Sequence, residues 1–292
     1  MSLWFSNLSI KLIHHRDTEA QRKKMNKSVQ YQNKKINYQS IGKGKAVLLV
    51  HGFGEDGTIW EKQIDFHKHN FHLLIPDLPG SGGSELIEDV SMEGMAEVLH
   101  EIIHEEDVDS CSMFGHSMGG YITLAFAEKY WNHLDAFGLI HSTAFADSRE
   151  KIETRKKGIE FINQHGTFEF LKTTIPNLFS SNSKSQLKDS INEFINSQSS
   201  FTPDTLIAYY EAMINRPDRT LVLKNTKTPV LIIAGEEDNA VSLHDILKQS
   251  HLPDHCSFHI LNNSGHMGMM EEPQRMNMLI DVFLKEIVSN SQ

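Results

Sequence analysis

The chain has 292 residues, 39% of them hydrophobic and 23% charged, which is typical of one large globular domain or of one domain with a sizeable insertion. Its 38 acidic residues outnumber its 28 basic ones, and this net charge of −10 argues against a nucleic-acid partner, whose affinity would rest largely on phosphate neutralisation. No apolar run reaches the roughly 18 residues of a membrane span. The two cysteines are expected to be thiols in a reducing compartment, so we expect a cytoplasmic protein.

The first 28 residues differ from the rest of the chain in composition. Their apolar residues are interrupted by Ser and Asn, and no small-residue cleavage site follows, so the segment does not match a secretory signal. A basic run, Arg22-Lys23-Lys24, precedes Met25, which is an alternative start of the protein. We expect residues 1–28 to form a poorly packed N-terminal extension, with a helix on a membrane surface as the alternative.

Residues 29–142 and 221–292 alternate short apolar runs with helical segments. Residues 29–41 predict two short strands joined near Asn33, and the later apolar runs predict strands buried on both faces of a sheet. The alternation predicts an α/β domain with a mostly parallel, doubly wound sheet of about eight strands. The apolar runs lie at 46–50, 71–75, 108–114, 134–140, 229–234 and 257–261.

This alternation of strands and helices breaks between residues 143 and 220. The stretch is charged and rich in Ser and Asn, and it has no apolar run of the kind that predicts a buried strand. We interpret 143–220 as a helical cap, inserted over the active edge of a core that consists of 29–142 and 221–292. The predicted cap helices lie at 147–164, 168–174, 184–196 and 203–215.

Ser117 stands between Gly115 and Gly119 in a G-x-S-x-G pattern. An apolar run precedes this pattern and a helical segment follows it, which is the strand–turn–helix context of a nucleophile elbow. A serine on so sharp a turn has a strained backbone, and large side chains two residues to either side would collide. The helix behind the serine directs free backbone N–H groups toward the hydroxyl. The pattern therefore predicts a nucleophilic serine.

A nucleophilic serine needs a base and a group that orients this base. Asp238 and His266 each follow a predicted strand, and the carboxyl ends of parallel strands open onto one edge of the sheet, where ligands bind. His266 lies in a Ser-Gly-His turn after the last strand, and the order Ser…Asp…His suits an elbow serine. Glu236 and Glu237, next to Asp238, are alternative orienting residues.

Five short motifs occur along the chain: H-G-F-G from His51, D-L-P-G-x-G-x-S from Asp77, G-H-S-M-G-G from Gly115, G-E-E-D from Gly235 and S-G-H from Ser264. Together they resemble the α/β-hydrolase superfamily, from about residue 29 to the C-terminus. Residues 212–219, before a late strand, and Glu271-Glu272-Pro273 resemble its small capped serine esterases and enol-lactonases. The resemblance implies that the backbone N–H groups of Phe53 and Met118 form an oxyanion hole, and that neither a metal nor an organic cofactor is needed. A serine nucleophile is unlike the aspartate of haloalkane dehalogenases and epoxide hydrolases.

These residues predict a serine hydrolase that cleaves a carboxylic ester or lactone through an acyl-enzyme on Ser117, with Asp238 and His266 completing the triad. A C–C bond hydrolase or a perhydrolase with the same triad is one alternative, and a non-catalytic receptor for a small apolar ligand is another. The expected substrate is small, apolar and ester-like, and the oligomeric state stays open. The residues predicted to line its pocket are Trp60, Phe145, Ile175, Phe179, Met213 and Met267.

His100-Glu101-Ile102-Ile103-His104 matches H-E-x-x-H, the pattern of zinc proteases. The apolar face of this helical segment is centred near Leu99, so the helical period turns His104 and Glu101 away from it. No third ligand follows at a zinc-protease spacing. We therefore expect His104 and Glu101 to face solvent, with a zinc protease that uses His100 and His104 as the alternative. His51 and His116 are interpreted as structural histidines that hold their loops.

Overall fold

The computed structural model describes residues 26–290. Residues 1–25, most of the predicted N-terminal extension, lie outside the described residues. The sheet begins at Asn26 rather than at Val29, because β1 (Asn26–Tyr31) pairs with β2 (Lys34–Gly42) as an antiparallel hairpin. Gln32 and Asn33 in the turn have φ angles of 50° and 63°, a left-handed conformation that asparagine adopts more readily than most residues.

Six further strands are β3 (Ala46–Val50), β4 (His72–Pro76), β5 (Cys111–His116), β6 (Leu134–Ile140), β7 (Val230–Gly235) and β8 (Cys256–Leu261). All eight strands form one sheet in the order β1-β2-β4-β3-β5-β6-β7-β8. β2 runs antiparallel to both of its neighbours, and β3 to β8 are parallel. Every residue of β3, β5 and β7 is buried, so both faces of the sheet are covered. The predicted fold class is confirmed.

The helices are α1 (Glu61–His67), α2 (Met92–Glu105), α3 (Met118–Lys129), α4 (Arg149–His165), α5 (Thr167–Thr174), α6 (Ser181–Gln186), α7 (Lys188–Ser197), α8 (Pro203–Asn215), α9 (Thr220–Asn225), α10 (Leu243–Gln249), α11 (Gly268–Glu271) and α12 (Pro273–Asn290). α2 packs against α3, which contacts β5 and β6 near the middle of the sheet. α1 packs against α12, which also contacts β8. Between residues 26 and 290, no helix has the length and apolar content that crossing a bilayer requires.

Residues 143–220, called here the helical segment, contain α4 to α8 and no strand. α4 packs against α5 and α8. The single helix predicted over 184–196 is wrong, because α6 and α7 are separate helices that meet at Leu187. Ser180 caps α6 by accepting a hydrogen bond from the Ser183 N–H, whereas α7 is positioned by an apolar face that includes Ile191 and Phe194. α9 is a short helix that the sequence analysis did not predict.

Candidate active site

The predicted elbow lies between β5 and α3. Ser117 has a φ of 50° and a ψ of −114°, a conformation that is strained for a residue with a side chain. A Cβ atom on Gly115 would come within 2.2 Å of the Gly119 carbonyl oxygen, and one on Gly119 within 2.4 Å of the Val50 carbonyl oxygen. Because these obstacles are backbone atoms, neither position has room for a side chain. The two glycines therefore allow the turn to form between the packed strand and helix.

A backbone bond from β6 and a side-chain bond from Ser142, just after it, hold Ser117 in this conformation. Its N–H donates to the Ile140 carbonyl at 2.9 Å, and its carbonyl accepts from the Ser142 Oγ at 2.7 Å. Met118 is the first residue of α3, so its N–H has no partner inside the helix and points toward the elbow. The Met118 side chain is fully buried. The serine is thus fixed by the sheet on one side and by a helix N-terminus on the other.

Asp238 and His266 meet at the same edge of the sheet, after β7 and β8. The His266 Nδ1 donates to Asp238 Oδ2 at 2.8 Å, and Asp238 Oδ1 accepts the backbone N–H groups of Ala240 and Val241, each at 2.8 Å. Both side chains are buried. Of the three acids after β7, only Asp238 is buried and contacts His266, whereas its two glutamate neighbours are exposed.

A second histidine, His141, also reaches Asp238. It follows β6, is fully buried, and its Nδ1 donates to Asp238 Oδ2 at 3.3 Å. Burial alone would raise the pKa of Asp238, but the charge of His266 and the hydrogen bonds from both histidines outweigh this effect and lower it. Asp238 is therefore ionised at neutral pH. Sequence reasoning missed His141; its one signal was a polar residue directly after a buried strand.

His116, beside the serine, holds two loops together. Its Nδ1 donates to Glu55 Oε2 at 2.9 Å and its Nε2 donates to the His266 carbonyl at 2.9 Å. Burial alone would lower the pKa of His116, but Glu55 outweighs it and the pKa is raised; the pKa of Glu55 is correspondingly lowered despite its burial, mainly by His116. Two acceptors require a hydrogen on each ring nitrogen, so His116 is an imidazolium paired with Glu55. Glu55 was not singled out from the sequence.

His51 holds the preceding loop in a similar way. Its Nδ1 donates to the carbonyl of Gly52 at 2.9 Å, and its Nε2 accepts the N–H of Leu78 at 2.9 Å. These bonds connect the loop after β3 to the loop after β4. Both ring nitrogens of His51 are therefore engaged in fixing loops, as the sequence interpretation expected of this residue.

A cavity of about 350 Å³ lies over the elbow. Ser117 and His266 form part of its wall, and so do three of the residues predicted from the sequence, namely Phe53, Ile175 and Met213. These residues come from the loop after β3, the elbow, the helical segment and the loop after β8. The structure thus brings the predicted nucleophile and base to one cavity, enclosed on one side by the helical segment.

The other four residues predicted for the pocket lie outside the cavity wall. Trp60 is fully buried and packs edge-on against His116, with ring centroids 6.5 Å apart. Phe179 and Met267 are buried in the core. Phe145 is half-buried in the loop after β6. Trp60, Phe179 and Met267 contribute to core packing, because an apolar residue near a site in sequence gains most by filling the adjoining interior.

Part of the cavity wall is polar, which the sequence analysis did not predict. Lys151, Thr154 and Arg155 of α4 line the cavity together with Tyr121 and Tyr210. Positions i, i+3 and i+4 share one face of a helix, so a single face of α4 supplies all three polar residues. In sequence, this charged face resembles one that faces water. Only the placement of α4 over the sheet edge turns it toward the cavity.

The H-E-x-x-H residues have a different environment. The His100 ring stacks on Tyr130 with centroids 4.1 Å apart, and His104 is exposed. Within residues 26–290, one group of three metal-ligand side chains comes together, and it consists of His141, Asp238 and His266. The Nδ1 atoms of these two histidines are already engaged with the aspartate. His100 and His104 thus belong to the flank of the domain.

The alpha/beta hydrolase family matches residues 47–278 of the chain. The chain is similar to 3-oxoadipate enol-lactonase 1 of Acinetobacter baylyi, with 23% identity over 88% of this chain and 95% of the relative. It is also similar to a 2-hydroxy-6-oxononadienedioate/2-hydroxy-6-oxononatrienedioate hydrolase of Burkholderia vietnamiensis, with 23% identity over 86% of this chain and 91% of the relative. Among solved structures, a thermophilic esterase from Thermogutta terrifontis superposes with a TM-score of 0.84 at 28% identity, over 90% of this chain and 98% of the esterase. The chain therefore belongs to the alpha/beta hydrolase family.

Proposed function

We propose that this hydrolase cleaves a carboxylic ester or lactone through an acyl-enzyme on Ser117. The observation that carries the proposal is the convergence at one cavity of a serine on a strained elbow and a histidine whose Nδ1 is bonded to a buried carboxylate. These are the nucleophile, base and orienting group that acyl transfer needs. The helical segment, which closes the cavity, is proposed as the cap.

The reaction begins with attack of the Ser117 Oγ on the substrate carbonyl. His266 takes the serine proton on Nε2, and Asp238 holds the imidazole in the tautomer that leaves Nε2 free to accept it. His266 then returns the proton to the departing alkoxide, and an acyl-enzyme remains. A water molecule activated by the same histidine releases the acid and restores the serine.

The negative charge that develops on the carbonyl oxygen needs donors at the elbow. We propose the backbone N–H groups of Met118 and Phe53 for this role. Met118 opens α3, where the helix dipole adds a favourable field, and Phe53 lies in the cavity wall on the loop after β3. The removal of one such donor typically slows catalysis about 10²–10³-fold.

The similarity to an esterase and an enol-lactonase supports ester or lactone chemistry. Hydrolysis of a carbon–carbon bond is a second candidate, favoured by the similarity to the 2-hydroxy-6-oxononadienedioate/2-hydroxy-6-oxononatrienedioate hydrolase. Both reactions use the same residues, so the choice between them depends on the substrate offered. A 1,5-diketone assayed beside the esters separates them.

The experiment is hydrolysis of p-nitrophenyl esters from acetate to octanoate by wild type, Ser117→Ala and Ser185→Ala. Ser185 is an exposed serine of α6 and is the matched control. We expect Ser117→Ala to lose on the order of 10⁴-fold or more in kcat/KM, because the nucleophile is gone, and Ser185→Ala to behave like wild type. A fluorophosphonate probe should label wild type once, on Ser117. Ester turnover that survives in Ser117→Ala would contradict the proposal.

A chelator supplies a second arm of this experiment. Pre-incubation with EDTA should leave ester hydrolysis unchanged, since every proposed step uses a side chain or backbone N–H group of the described residues. Inactivation by EDTA and recovery with zinc would instead assign the activity to a metal site, with His100 and His104 as the first residues to substitute.

A further inference from the structure

One face of α4 is cationic where it borders the cavity. Lys151 and Arg155 are four residues apart, so their side chains lie one above the other on the helix, with Thr154 beside them. Apolar residues line other parts of the cavity: Leu171, Ile175, Leu178 and Met213. The cavity therefore has apolar walls and one wall that carries two positive side chains and a hydroxyl.

The guanidinium of Arg155 belongs to a cluster with excess positive charge. Its Nε donates to Asp147 Oδ2 at 2.6 Å, and the Arg216 Nη1 lies 2.9 Å from Asp147 Oδ1. The Asp147 side chain is fully buried and that of Arg216 is 3% exposed. Two guanidinium groups thus share one carboxylate, which leaves one positive charge in a largely desolvated place. Such a charge is costly unless a counter-charge reaches it.

Lys151 adds a second positive charge, and Asp245, a carboxylate whose pKa Lys151 helps to lower, forms its ion pair with Lys248 instead. Within the described residues, Lys151 has no carboxylate at ion-pair distance, whereas Lys156 on the same helix lies 2.9 Å from Glu153 Oε1. Glu55 is an acid of the cavity wall, and it is already paired with His116 at 2.9 Å. The acids around this wall, Asp147 and Asp245, thus balance its positive charge only in part.

We propose that the cavity takes a substrate with a carboxylate on the end remote from the scissile bond, held by Lys151 and Arg155. This inference rests on the proposed hydrolysis at Ser117 and names the class of substrate for it. The apolar walls contact the chain between the two ends. In a molecule of net charge −10, a local positive wall is what makes an anion favourable at this place. The small apolar substrate expected from the sequence is thus extended by a charged end.

The test compares two pairs of esters, and the members of each pair differ in whether they carry a carboxylate. In the first pair, p-nitrophenyl hydrogen adipate carries a carboxylate where p-nitrophenyl hexanoate carries a methyl group. In the second, 3-carboxyphenyl hexanoate and phenyl hexanoate place the charge on the alcohol side. The measured quantity is the ratio of kcat/KM for the charged ester to that for the neutral one, corrected for spontaneous hydrolysis. We expect wild type to favour the charged ester in one of the pairs.

The variants are Lys151→Met and, as matched control, Lys156→Met. Lys151→Met should lower the preferred pair's ratio about tenfold, the usual size of one lost charged contact, and Lys156→Met should leave it unchanged. The ratio within each variant cancels any general loss of folded enzyme. Added salt should lower the wild-type ratio, because it screens the cations.

Separate outcomes bear on the two proposals. The carboxylate site is overturned if the ratio of kcat/KM for charged to neutral ester is near or below one in both pairs and Lys151→Met does not change it. The proposed ester hydrolysis would still stand in that case. If no ester is turned over and Ser117 is not labelled, the proposed hydrolysis fails. Calorimetric titration of Ser117→Ala with adipate then decides the carboxylate site alone: binding that is lost on adding Lys151→Met supports it, and the absence of binding overturns it.

Discussion

The carboxylate of Asp238 accepts four hydrogen bonds, two on each oxygen. Oδ1 faces the backbone N–H groups of Ala240 and Val241, and Oδ2 faces the rings of His141 and His266. This arrangement fixes the carboxylate in one orientation before a substrate arrives. His266, the proposed base, is therefore positioned by a group that has no freedom to turn, which is the preorganisation that the proposed acyl transfer would exploit.

The ion pair of Glu55 and His116 leads to a prediction about stability and pH. The raised pKa of His116 contributes stability that is fully present below its unfolded pKa of about 6.5 and is lost as the pH rises through the folded pKa. The lowered pKa of Glu55 contributes stability that is present above about 4.5 and is lost as the pH falls through the folded pKa. The pair should thus stabilise the protein most between about pH 4.5 and 6.5.

The measurement is urea unfolding of wild type and Glu55→Gln from pH 4 to 9. Near pH 6 the variant should lose about 3–5 kcal/mol of unfolding free energy, because it leaves a buried imidazolium unpaired. The difference in unfolding free energy between wild type and variant should become smaller toward both ends of the pH range. Glu153→Gln is the control, since this exposed partner of Lys156 should change stability by less than about 0.5 kcal/mol. A difference independent of pH would show that His116 is not charged in the folded protein.

Residue by residue, the sequence predicts those parts of the site that stand in short motifs. Ser117, Asp238 and His266 follow strands in recognisable turns, so their convergence can be argued from the rule that parallel strands end at one edge. His141 contacts Asp238, 97 positions away, and Glu55 contacts His116, 61 positions away. No local sequence pattern predicts such contacts. The cavity wall formed by Lys151 and Arg155 was missed for the same reason.

Among the elements, the sheet was predictable and the helical segment only partly so. β3 and β7 are uninterrupted apolar runs because both of their faces are buried, and runs this short indicate a strand rather than a helix. α8 was predicted with its observed bounds, since Thr202 caps it and Pro203 begins it. α6 and α7 were merged because a change of direction at Leu187 depends on packing against neighbouring helices.

The turn between β5 and α3 gives a prediction at this scale. Gly119→Ala should cost about 3 kcal/mol or more of unfolding free energy, because the new Cβ would meet the Val50 carbonyl oxygen at 2.4 Å and neither strand nor helix can move away. Gly166→Ala, between α4 and α5, should cost about 1–3 kcal/mol through backbone strain alone, because a φ of 83° with a ψ of 167° is a conformation nearly restricted to glycine. Gly166 has a φ of 83° but nothing within 4 Å of its Cβ position. A loss of less than about 1 kcal/mol in Gly119→Ala would refute the steric account of the elbow.

At the scale of the whole molecule, the reactivity of the two cysteines indicates which part of the sheet unfolds first. Burial raises the pKa of Cys111 to about 12 and that of Cys256 to about 11, so neither is a thiolate near pH 8. Cys111 is fully buried on β5 in the middle of the sheet, whereas Cys256 is half-buried on the edge strand β8. Access to Cys111 therefore requires the sheet to come apart, and access to Cys256 requires only its edge to loosen.

Iodoacetamide labelling in increasing urea, read by mass spectrometry, tests this difference. Native protein should be alkylated slowly at both sites, and Cys256 should become reactive at lower urea than Cys111. The Cys111 labelling should follow the global unfolding transition measured by circular dichroism. Early labelling of Cys111, ahead of Cys256, would show that the middle of the sheet opens before its edge.

The order of the strands has a consequence for the time at which activity appears. From β5 onward, each new strand is added beside the previous one, so the sheet grows outward toward β8 in the direction of synthesis. Ser117 enters the sheet with β5, but His266 arrives only after β8, almost at the end of the chain. A nascent or refolding chain thus holds Ser117, the proposed nucleophile, before His266, the proposed base, is in place. In the proposed mechanism, the first catalytic turnover marks the docking of the last strand.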